Sequence, residues 1–521
     1  MPAAPHRPPA SAGVLTPSSS PRSAERVLLL SLAVTFALKL VAAALFPLTG
    51  DEAYFVQWGR TLAGSYYDHG PVTGWMLWLF LQVGDHPAWL RLPAILAPIG
   101  VAWMVWRAWR KEDPERAALA ASLVAWALPS VISVLVTTDT PLLFLSTASA
   151  VMAARAHRSD RAWEYLAAGA LLGLAFLAKY FAVLLGVGLA VWWLLVCRPR
   201  RWRAVLLLLA GAAPFIGQHL YWNYHHAWTN VMFNVFTRQE GLKLSPASPL
   251  LFLLMAGWLF GPVLLALRRL DKDRWLTVNR LMRSSSLGVF VIPFLTAHGV
   301  LFAVSVVRPV GLHWLLSFFP LGFAAVMLAL PTAALRRLLR PVALFSLLHL
   351  GIALLVLLLP VEKAQGHRSY SSIVMGLYPE ETLAVLAPLR DEAVVATPSY
   401  SRSALLEYHL GEDVPVLGPG SFHGRQDDLR TDWRTHAGRN VLFITAKEDE
   451  LERARGWFSS STVHRVELRG ATLLVLQGRG FDYEAYRQDV LKPVSDRYYE
   501  MPGFLRAFSS GSFFRERYGF E

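Results

Sequence analysis

The sequence has few charged residues, one cysteine and none of the common nucleotide- or metal-binding motifs. Charged residues make up 17% of the 521 positions, whereas about 25% is usual for soluble proteins. Because Cys197 is the single cysteine, no intrachain disulfide can stabilise an external part of the chain. Walker-type loops, GxGxxG fingerprints, HExxH helices, nucleophile elbows and cysteine-based zinc patterns are all missing. An ordinary soluble enzyme is therefore excluded, and cytoplasmic nucleotide chemistry is disfavoured.

Long apolar runs accompany this shortage of charge. Hydrophobic residues make up 54% of the chain, its mean hydropathy is +0.37, and runs long enough to cross a bilayer recur. The sequence predicts a polytopic α-helical membrane protein with about 11 transmembrane helices. The short apolar segment Thr73–Val83 predicts an interfacial helix instead. The predicted spans are Val27–Leu48, Leu90–Trp109, Ala117–Val136, Thr140–Ala156, Trp163–Ala178, Tyr180–Cys197, Ala204–Tyr221, Pro249–Leu267, Ser286–Val307, Leu312–Leu330 and Val342–Leu359.

The positive charge is unevenly distributed between the loops. The formal net charge is +13, but residues 361–521 carry −3 and the remainder carries +16. Alternate loops hold most of the Lys and Arg residues, and the positive-inside rule places these loops in the cytoplasm. The pattern predicts a multi-pass protein of the cytoplasmic (inner) membrane with a cytoplasmic N-terminus. It also predicts contact with membrane lipids and not with nucleic acid. The outer loops hold only Arg60, Arg91, Lys179, Arg238, Lys243 and Arg308.

Composition divides the chain into three predicted parts. Residues 1–26 are rich in Pro, Ala and Ser and predict a disordered cytoplasmic tail. Residues 27–360 form the predicted transmembrane domain, whose outer loop 49–89 carries unusual polar clusters. Residues 361–521 predict a soluble extracytoplasmic α/β domain, because strand-like and helix-like segments alternate there. The predicted strands are 392–397, 414–417, 440–445, 462–467 and 471–477, and the predicted helices are 380–389, 401–410, 447–457 and 483–491.

Two adjacent carboxylates, Asp51 and Glu52, follow the first predicted span. Ionisable groups next to a membrane are costly and are therefore functional candidates. The alternative is structural: Asp51 would cap a helix that begins near Ala53, and the helix dipole would favour Glu52. Both interpretations can hold together, because a cap also fixes the direction of a carboxylate.

Two further outer segments carry acidic residues. Tyr66–Pro71 has the composition of a turn, and the apolar helix predicted after it would hold Asp68 and His69 at the lipid–water boundary. Asp139 stands at the start of a predicted span, with Pro141 in the first turn. A plain loop and an ordinary helix start are the respective structural alternatives.

Three basic residues stand out on the same predicted side. Lys179 interrupts a long apolar stretch, so its ammonium group either reaches the interface or meets an anion such as a phosphate. Arg308 and His313 flank a short turn, and an arginine there suits either a phosphate or an interfacial anchor. The adjacent pair His225-His226 lacks the helical spacing that presents two metal ligands on one face.

Four of these motifs together resemble a known family. They are the Asp51-Glu52 pair, the sequence YYDHGP at Tyr66–Pro71, the sequence TDTPL at Thr138–Leu142 and the step Ala178-Lys179-Tyr180. In order and spacing they resemble bacterial members of the dolichyl-phosphate-mannose–protein mannosyltransferase-like family, to which the lipid A aminoarabinose transferases are related. The resemblance covers about residues 27–330 well. It extends more loosely to Tyr400–Leu410 and to Arg425-Gln426-Asp427.

The resemblance implies a GT-C glycosyltransferase. Such an enzyme moves a sugar from a polyprenyl-phosphate donor to a lipid A, other glycan, lipid or protein acceptor on the outer face of the membrane, by inverting displacement. Asp51 would be the general base, Glu52 would shape the site, and Asp139 would orient a substrate. No cofactor is required, and a divalent metal could bind the carboxylate pair but is not indicated. The implied donor-phosphate and substrate-binding residues are Tyr54, Asp68, His69, Lys179, Arg308 and His313.

His69 departs from the family pattern. It stands where the aminoarabinose transferases carry lysine, and an unperturbed histidine is largely neutral at pH 7. The resemblance therefore makes Lys179 and Arg308 the main counter-charges to the donor phosphate.

A transporter or flippase of lipid-linked sugars is the alternative function. Such a protein would place charged residues deep within its spans. Here the spans are nearly free of charge and the polar residues gather at the outer face, which favours an enzyme.

Overall fold

The computed structural model describes residues 21–197, 199–239, 244–268, 272–273, 276 and 287–520. Up to Leu358 the described chain is helical, with π-helical turns at Trp192–Val196 and Met232–Phe236. The helices of this part are α1 (Pro21–Leu45), α2 (Gly50–Arg60), α3 (Val72–Leu81), α4 (Pro87–Leu90), α5 (Leu92–Trp109), α6 (Pro114–Trp126), α7 (Leu128–Ile132), α8 (Asp139–Ser159), α9 (Ala162–Ala178), α10 (Ala182–Val191), α11 (Trp202–His225), α12 (Thr229–Val231), α13 (Ala247–Phe260), α14 (Pro262–Leu267), α15 (Gly288–Ser305), α16 (Leu312–Leu316), α17 (Phe319–Ala329) and α18 (Thr332–Leu358).

Helices occupy all eleven segments that were predicted to span the membrane. The chain is therefore a predominantly helical membrane protein. The number of crossings stays a prediction, because α9, α13 and α17 are apolar but shorter than a full span. Among the described residues, the helical stretches with the length and composition of a span are Arg22–Leu45, Pro87–Trp109, Trp202–His225, Gly288–Ser305 and Thr332–Leu358.

Several helix boundaries differ from the predicted ones; α18, for example, begins at Thr332 and not at Val342. α1 begins at Pro21, so residues 21–26 of the predicted tail are helical, and 1–20 lie outside the described residues. Ala24 is fully buried in the helical core, which explains the early start. The predicted span Pro249–Leu267 is divided at Gly261, whose φ of +47° suits glycine. Pro262, which lacks an N–H group, then begins α14.

The chain after Leu358 forms a mixed α/β structure. Its sheet contains β1 (Val394–Ala396), β2 (Val441–Thr445), β3 (Phe458–Leu468) and β4 (Ala471–Phe481) in the order β1-β2-β4-β3, with β1 parallel to β2 and the other pairs antiparallel. Four of the five predicted strands are present, whereas 414–417 supplies only a parallel bridge to Thr397. The elements are α19 (Tyr370–Leu377), α20 (Pro379–Leu386), β1 (Val394–Ala396), α21 (Tyr400–Leu410), α22 (Asp427–Arg430), β2 (Val441–Thr445), α23 (Glu448–Arg455), β3 (Phe458–Leu468), β4 (Ala471–Phe481), α24 (Tyr483–Tyr486), α25 (Lys492–Val494), α26 (Gly503–Arg506) and α27 (Phe513–Tyr518).

This α/β part is packed directly on the outer-loop helices. α21 lies against α2 so closely that a Cβ atom on Gly50 would be 2.6 Å from the Ser401 carbonyl oxygen. Farther along α21, the Tyr408 hydroxyl donates to the Asp85 carbonyl. The contact places the first turn of α21 beside the first turn of α2, where the paired carboxylates lie.

Candidate active site

The first turn of α2 presents Asp51 and buries Glu52. Thr49 is the N-cap: its hydroxyl accepts a hydrogen bond from the Glu52 N–H at 3.2 Å, and the Glu52 carboxylate accepts one from the Thr49 N–H at 3.2 Å. The predicted cap at Asp51 is therefore wrong, because the Thr-x-x-Glu sequence forms a capping box two residues earlier. Asp51 remains exposed at the start of the helix.

Glu52 is bound to Arg91 in the protein interior. Arg91 donates from Nε and Nη2 to the two carboxylate oxygens at 2.8 and 2.6 Å, and the side chains are 1% and 4% exposed. The same guanidinium donates to the carbonyls of Ala43, Phe46 and Pro47 at the end of α1. Through Arg91, the Glu52 carboxylate thus links α2 to the end of α1.

A cavity of about 430 Å³ lies beside Asp51. Residues from the ends of several helices line it, and apolar side chains such as Phe55 and Leu316 form part of its wall. Glu52, Tyr54, Asp68 and Arg308 are not among its lining residues. The structure thus brings five of the nine predicted site residues to one cavity: Asp51, His69, Asp139, Lys179 and His313.

Asp139 and Lys179 face each other in this wall. Lys179 follows the last residue of α9 in an extended conformation, and its ammonium donates to Asp139 Oδ2 at 2.7 Å. Asp139 is the first residue of α8, and its other oxygen accepts from the Ser317 hydroxyl at 2.8 Å. Lys179 therefore neither reaches out to the membrane interface nor stands alone.

The turn before α3 packs tightly on the end of α9. A Cβ atom on Gly70 would lie 2.1 Å from the Leu177 carbonyl oxygen, so only glycine allows this approach. The contact brings Asp68 and His69 towards Lys179. The carbonyl of His69 accepts hydrogen bonds from the Tyr66 N–H at 3.0 Å and from the Ser65 hydroxyl at 3.0 Å.

Asp68 lies behind the cavity lining and is bound to Tyr54. The Tyr54 hydroxyl donates to Asp68 Oδ1 at 3.3 Å. Burial raises the pKa of Asp68 to about 6, although its own backbone N–H and the Tyr54 hydroxyl oppose that rise. Burial and the nearby Asp68 charge also raise the pKa of Tyr54, so this phenol remains a proton donor at neutral pH.

His69 is a neutral side chain in a cationic environment. Burial lowers the pKa of His69 well below its usual range, and the charges of Lys179 and Arg238 lower it further. A neutral imidazole can donate or accept a hydrogen bond but cannot balance a phosphate charge. A histidine in place of lysine at this position therefore means one positive charge fewer to balance a phosphate.

Arg238 is a cavity residue that the sequence motifs did not indicate. Its guanidinium lies over the Trp314 ring at 5.0 Å, and that of Arg308 lies over the same ring at 5.4 Å. Arg308 donates to the Arg238 carbonyl at 3.2 Å. Among the described residues, the buried Nε of Arg238 has no hydrogen-bond partner. The sequence offers one indication of a role for Arg238: it is one of the few positively charged residues in the predicted outer loops.

The α/β part also contributes to the site. The Tyr400 hydroxyl donates to Asp51 Oδ1 at 2.9 Å, and His423 lines the cavity. Neither residue was predicted as a site residue, because nothing local in the sequence places them beside α2. Within the described part of the chain, no three His, Cys, Asp or Glu side chains form a group that could hold a metal ion.

Comparison with known proteins finds a family that matches part of the chain. Residues 68–222 match the family model described as dolichyl-phosphate-mannose-protein mannosyltransferase. The matched segment contains Asp68, His69, Asp139 and Lys179, so the resemblance predicted from the motifs is confirmed there. The overall fold is the GT-C fold of ArnT.

Two known proteins, ArnT and RgtD, show the likeness in more detail. Crystal structures of ArnT from Cupriavidus metallidurans, apo and bound to undecaprenyl phosphate, superimpose with TM-scores of 0.62 and 0.57 at 16% identity. They cover 87% and 86% of this chain and 98% and 97% of ArnT. The lipid A galacturonosyltransferase RgtD of Rhizobium johnstonii is 28% identical over 186 residues, which span 35% of this chain and 39% of RgtD.

Proposed function

We propose that this protein is a glycosyltransferase that moves a sugar from a polyprenyl-phosphate donor to an acceptor on the outer face of the cytoplasmic membrane. The observation that carries the proposal is a single cavity containing the Asp51 carboxylate and the cationic side chains of Lys179 and Arg238. The fold shared with ArnT, which has been crystallised with undecaprenyl phosphate, supports the donor class. The similarity to RgtD favours lipid A among the lipid, glycan and protein acceptors.

The proposed reaction is a single inverting displacement. The acceptor oxygen bonds to the anomeric carbon as the bond from that carbon to the phosphate oxygen breaks. Polyprenyl phosphate leaves with the electron pair, and Asp51 accepts the proton of the acceptor hydroxyl. The cavity wall holds the reactants in line, which supplies much of the catalysis by proximity.

Positive charge beside the leaving phosphate supports the second half of the reaction. The buried Nε of Arg238 is unpaired among the described residues, and a guanidinium binds phosphate in a bidentate manner. We assign Arg238 and Lys179 to the phosphate, with His69 as a neutral hydrogen-bonding group. Because Lys179 is already paired with Asp139, the phosphate would share its ammonium group with that carboxylate.

The remaining predicted residues are assigned supporting roles. Glu52 fixes the first turn of α2 through Arg91, and Tyr54 fixes Asp68. Arg308 supports Arg238 by binding its carbonyl. His313 lines the cavity and is assigned to substrate contact.

One buried charge within a span, Lys39 of α1, does not favour a transporter. Its ammonium donates to the carbonyls of Ala94 and Ile95 at 3.0 and 3.1 Å. In a regular helix the Ala94 carbonyl would accept from residue 98, but Pro98 has no N–H. Lys39 therefore donates to a carbonyl that has no helical N–H partner because residue 98 is proline. This role requires no ion or substrate transport.

The proposal includes an orientation in the membrane. The Lys and Arg distribution supports a cytoplasmic N-terminus. The cavity and the α/β part, residues 361–521, would then face the extracytoplasmic side. A reporter fused after Leu359 should be active outside the cytoplasm, and cytoplasmic activity would contradict the orientation.

The decisive test replaces Asp51 by Asn. The full-length wild type and variant would be expressed in cells that lack the gene, and envelope lipids and glycans would be compared by mass spectrometry. The wild type should add a sugar mass to one envelope component, and Asp51→Asn should not. Asp85→Asn, an exposed outer-loop carboxylate, is the matched control and should behave like the wild type. Full modification by a folded Asp51→Asn protein would reject the proposed mechanism.

A further inference from the structure

The α/β part places a tyrosine directly on the proposed base. Tyr400, the first residue of α21, donates its hydroxyl proton to Asp51 Oδ1 at 2.9 Å across a sequence separation of 349 residues. Among the described residues, this is the one hydrogen bond of the Asp51 side chain. The second oxygen, Oδ2, is thereby left for another molecule.

The ring of Tyr400 is held in this position from several sides. It packs edge-on against Tyr54 with a centroid distance of 4.9 Å. On another side lies Gly424, where a Cβ atom would be 2.3 Å from the ring and where φ is +64°. The close approach of Gly50 to Ser401 fixes the helix that carries the ring. The hydroxyl therefore has a defined direction and is not a mobile surface group.

Tyr400 also keeps its proton under working conditions. Burial raises the pKa of Tyr400, and the neighbouring Asp51 and Asp68 charges raise it further. A phenol that stays protonated is a permanent donor to the carboxylate and cannot compete with it for the acceptor's proton. The titratable groups that share the surroundings of Asp51 are Tyr400, Asp68 and His423.

We infer that Tyr400 is a positioning residue for the transfer reaction, supplied by the α/β part to a base in the transmembrane part. Its hydroxyl binds Oδ1 of Asp51 and holds the carboxylate in one orientation. Oδ2 then faces the acceptor hydroxyl and receives its proton during the displacement. This inference rests on the proposed function, in which Asp51 is the base. It gives the α/β part a role in the transfer reaction that is exerted through Asp51.

Tyr400→Phe tests the inference, because it removes the hydroxyl and keeps the ring packing. The full-length protein would be reconstituted in vesicles of host polar lipids that contain glycosylated undecaprenyl phosphate as the donor and lipid A as the acceptor, and release of undecaprenyl phosphate would be followed. We expect kcat to fall ten- to a hundredfold with little change in KM for the lipid donor.

Tyr408→Phe is the matched control. Tyr408 lies on the same helix, and its hydroxyl binds the Asp85 carbonyl away from the cavity, so this variant should keep the wild-type kcat and KM. Gly424→Ala gives a second test, because the added methyl group would push the ring while keeping the hydroxyl. It should lower kcat with little change in KM for the lipid donor, as Tyr400→Phe does.

The outcomes separate this inference from the proposed function. If Asp51→Asn is inactive and Tyr400→Phe has the wild-type kcat, the positioning role is wrong and the proposed function stands. If Asp51→Asn is fully active, the base assignment itself is wrong. A rise in KM for the lipid donor with unchanged kcat in Tyr400→Phe would mean that Tyr400 supports donor binding only, and it would also reject the inference.

Discussion

Lys179 and Asp139 form a 2.7 Å ion pair that joins the end of α9 to the start of α8 in the cavity wall. The two side chains are 8% and 19% exposed, so water screens the pair weakly. Removing one partner from such a pair leaves an uncompensated charge, which is costly. The pair is therefore both a structural link and a source of positive charge beside the proposed phosphate site.

We expect Lys179→Met and Asp139→Asn each to lower the melting temperature and to reduce sugar transfer at least about a hundredfold. The double variant removes both charges and should regain part of the thermal stability. It should not regain transfer, because the charge near the phosphate is still missing. Thermal unfolding by intrinsic fluorescence and the vesicle assay measure the two properties. Recovery of transfer in the double variant would show that the pair is purely structural.

Arg238 provides a second prediction. Arg238→Gln should raise KM for the lipid donor about tenfold or more, because a charge-assisted phosphate contact is lost. Arg238→Lys should retain part of the affinity, since the charge remains but the bidentate geometry does not. Arg60→Gln, an outer-loop change beside Asp85, should leave KM unchanged. Wild-type donor affinity in Arg238→Gln would remove this residue from the phosphate site.

The buried pair Glu52–Arg91 predicts a large stability effect. Arg91→Met would leave the Glu52 carboxylate buried without its partner and free three carbonyls at the end of α1, at a cost of about 3–5 kcal/mol. The comparison is Arg455→Met, which breaks an exposed pair with Glu452 and should cost less than about 1 kcal/mol. Melting temperatures of the full-length proteins in detergent measure both effects. Equal shifts in the two variants would contradict the assigned role of Arg91.

The pKa of Asp68 predicts a pH dependence of stability. Burial raises this pKa from 3.8 to about 6, so the folded state binds the proton more tightly than the unfolded chain. Stability contributed by the protonated carboxyl is therefore complete below about pH 4 and is lost as the pH rises to about 6. The total corresponds to roughly 3 kcal/mol.

The Asp68→Asn variant has no carboxyl group at this position that could titrate. The difference between its melting temperature and that of the wild type should therefore shift in favour of the variant as the pH rises from about 4 to about 6. The exposed carboxylate of Asp449 offers a control, because Asp449→Asn should differ from the wild type by a nearly constant amount. A constant difference for Asp68→Asn as well would show that Asp68 does not titrate in this window.

Local features of the fold were predictable because they depend on neighbouring residues. Apolar runs predicted helical segments, and short strand-like segments predicted four of the strands, including the β3–β4 pair that turns at Arg469-Gly470. The predicted helix cap was wrong by two residues because the Thr49–Glu52 capping box was not recognised. The split at Gly261 was missed because hydropathy does not register a change in backbone direction.

The sequence by itself determined the membrane character of this protein and the residue types of its site, because hydropathy and charge act locally along the chain. Only the tertiary structure decided which side chains meet. It paired Lys179 with Asp139, buried Glu52 against Arg91, brought Arg238 into the cavity and set Tyr400 on Asp51. These contacts join residues from 39 to 349 positions apart. Their geometry follows from helix packing and burial, which no local pattern encodes.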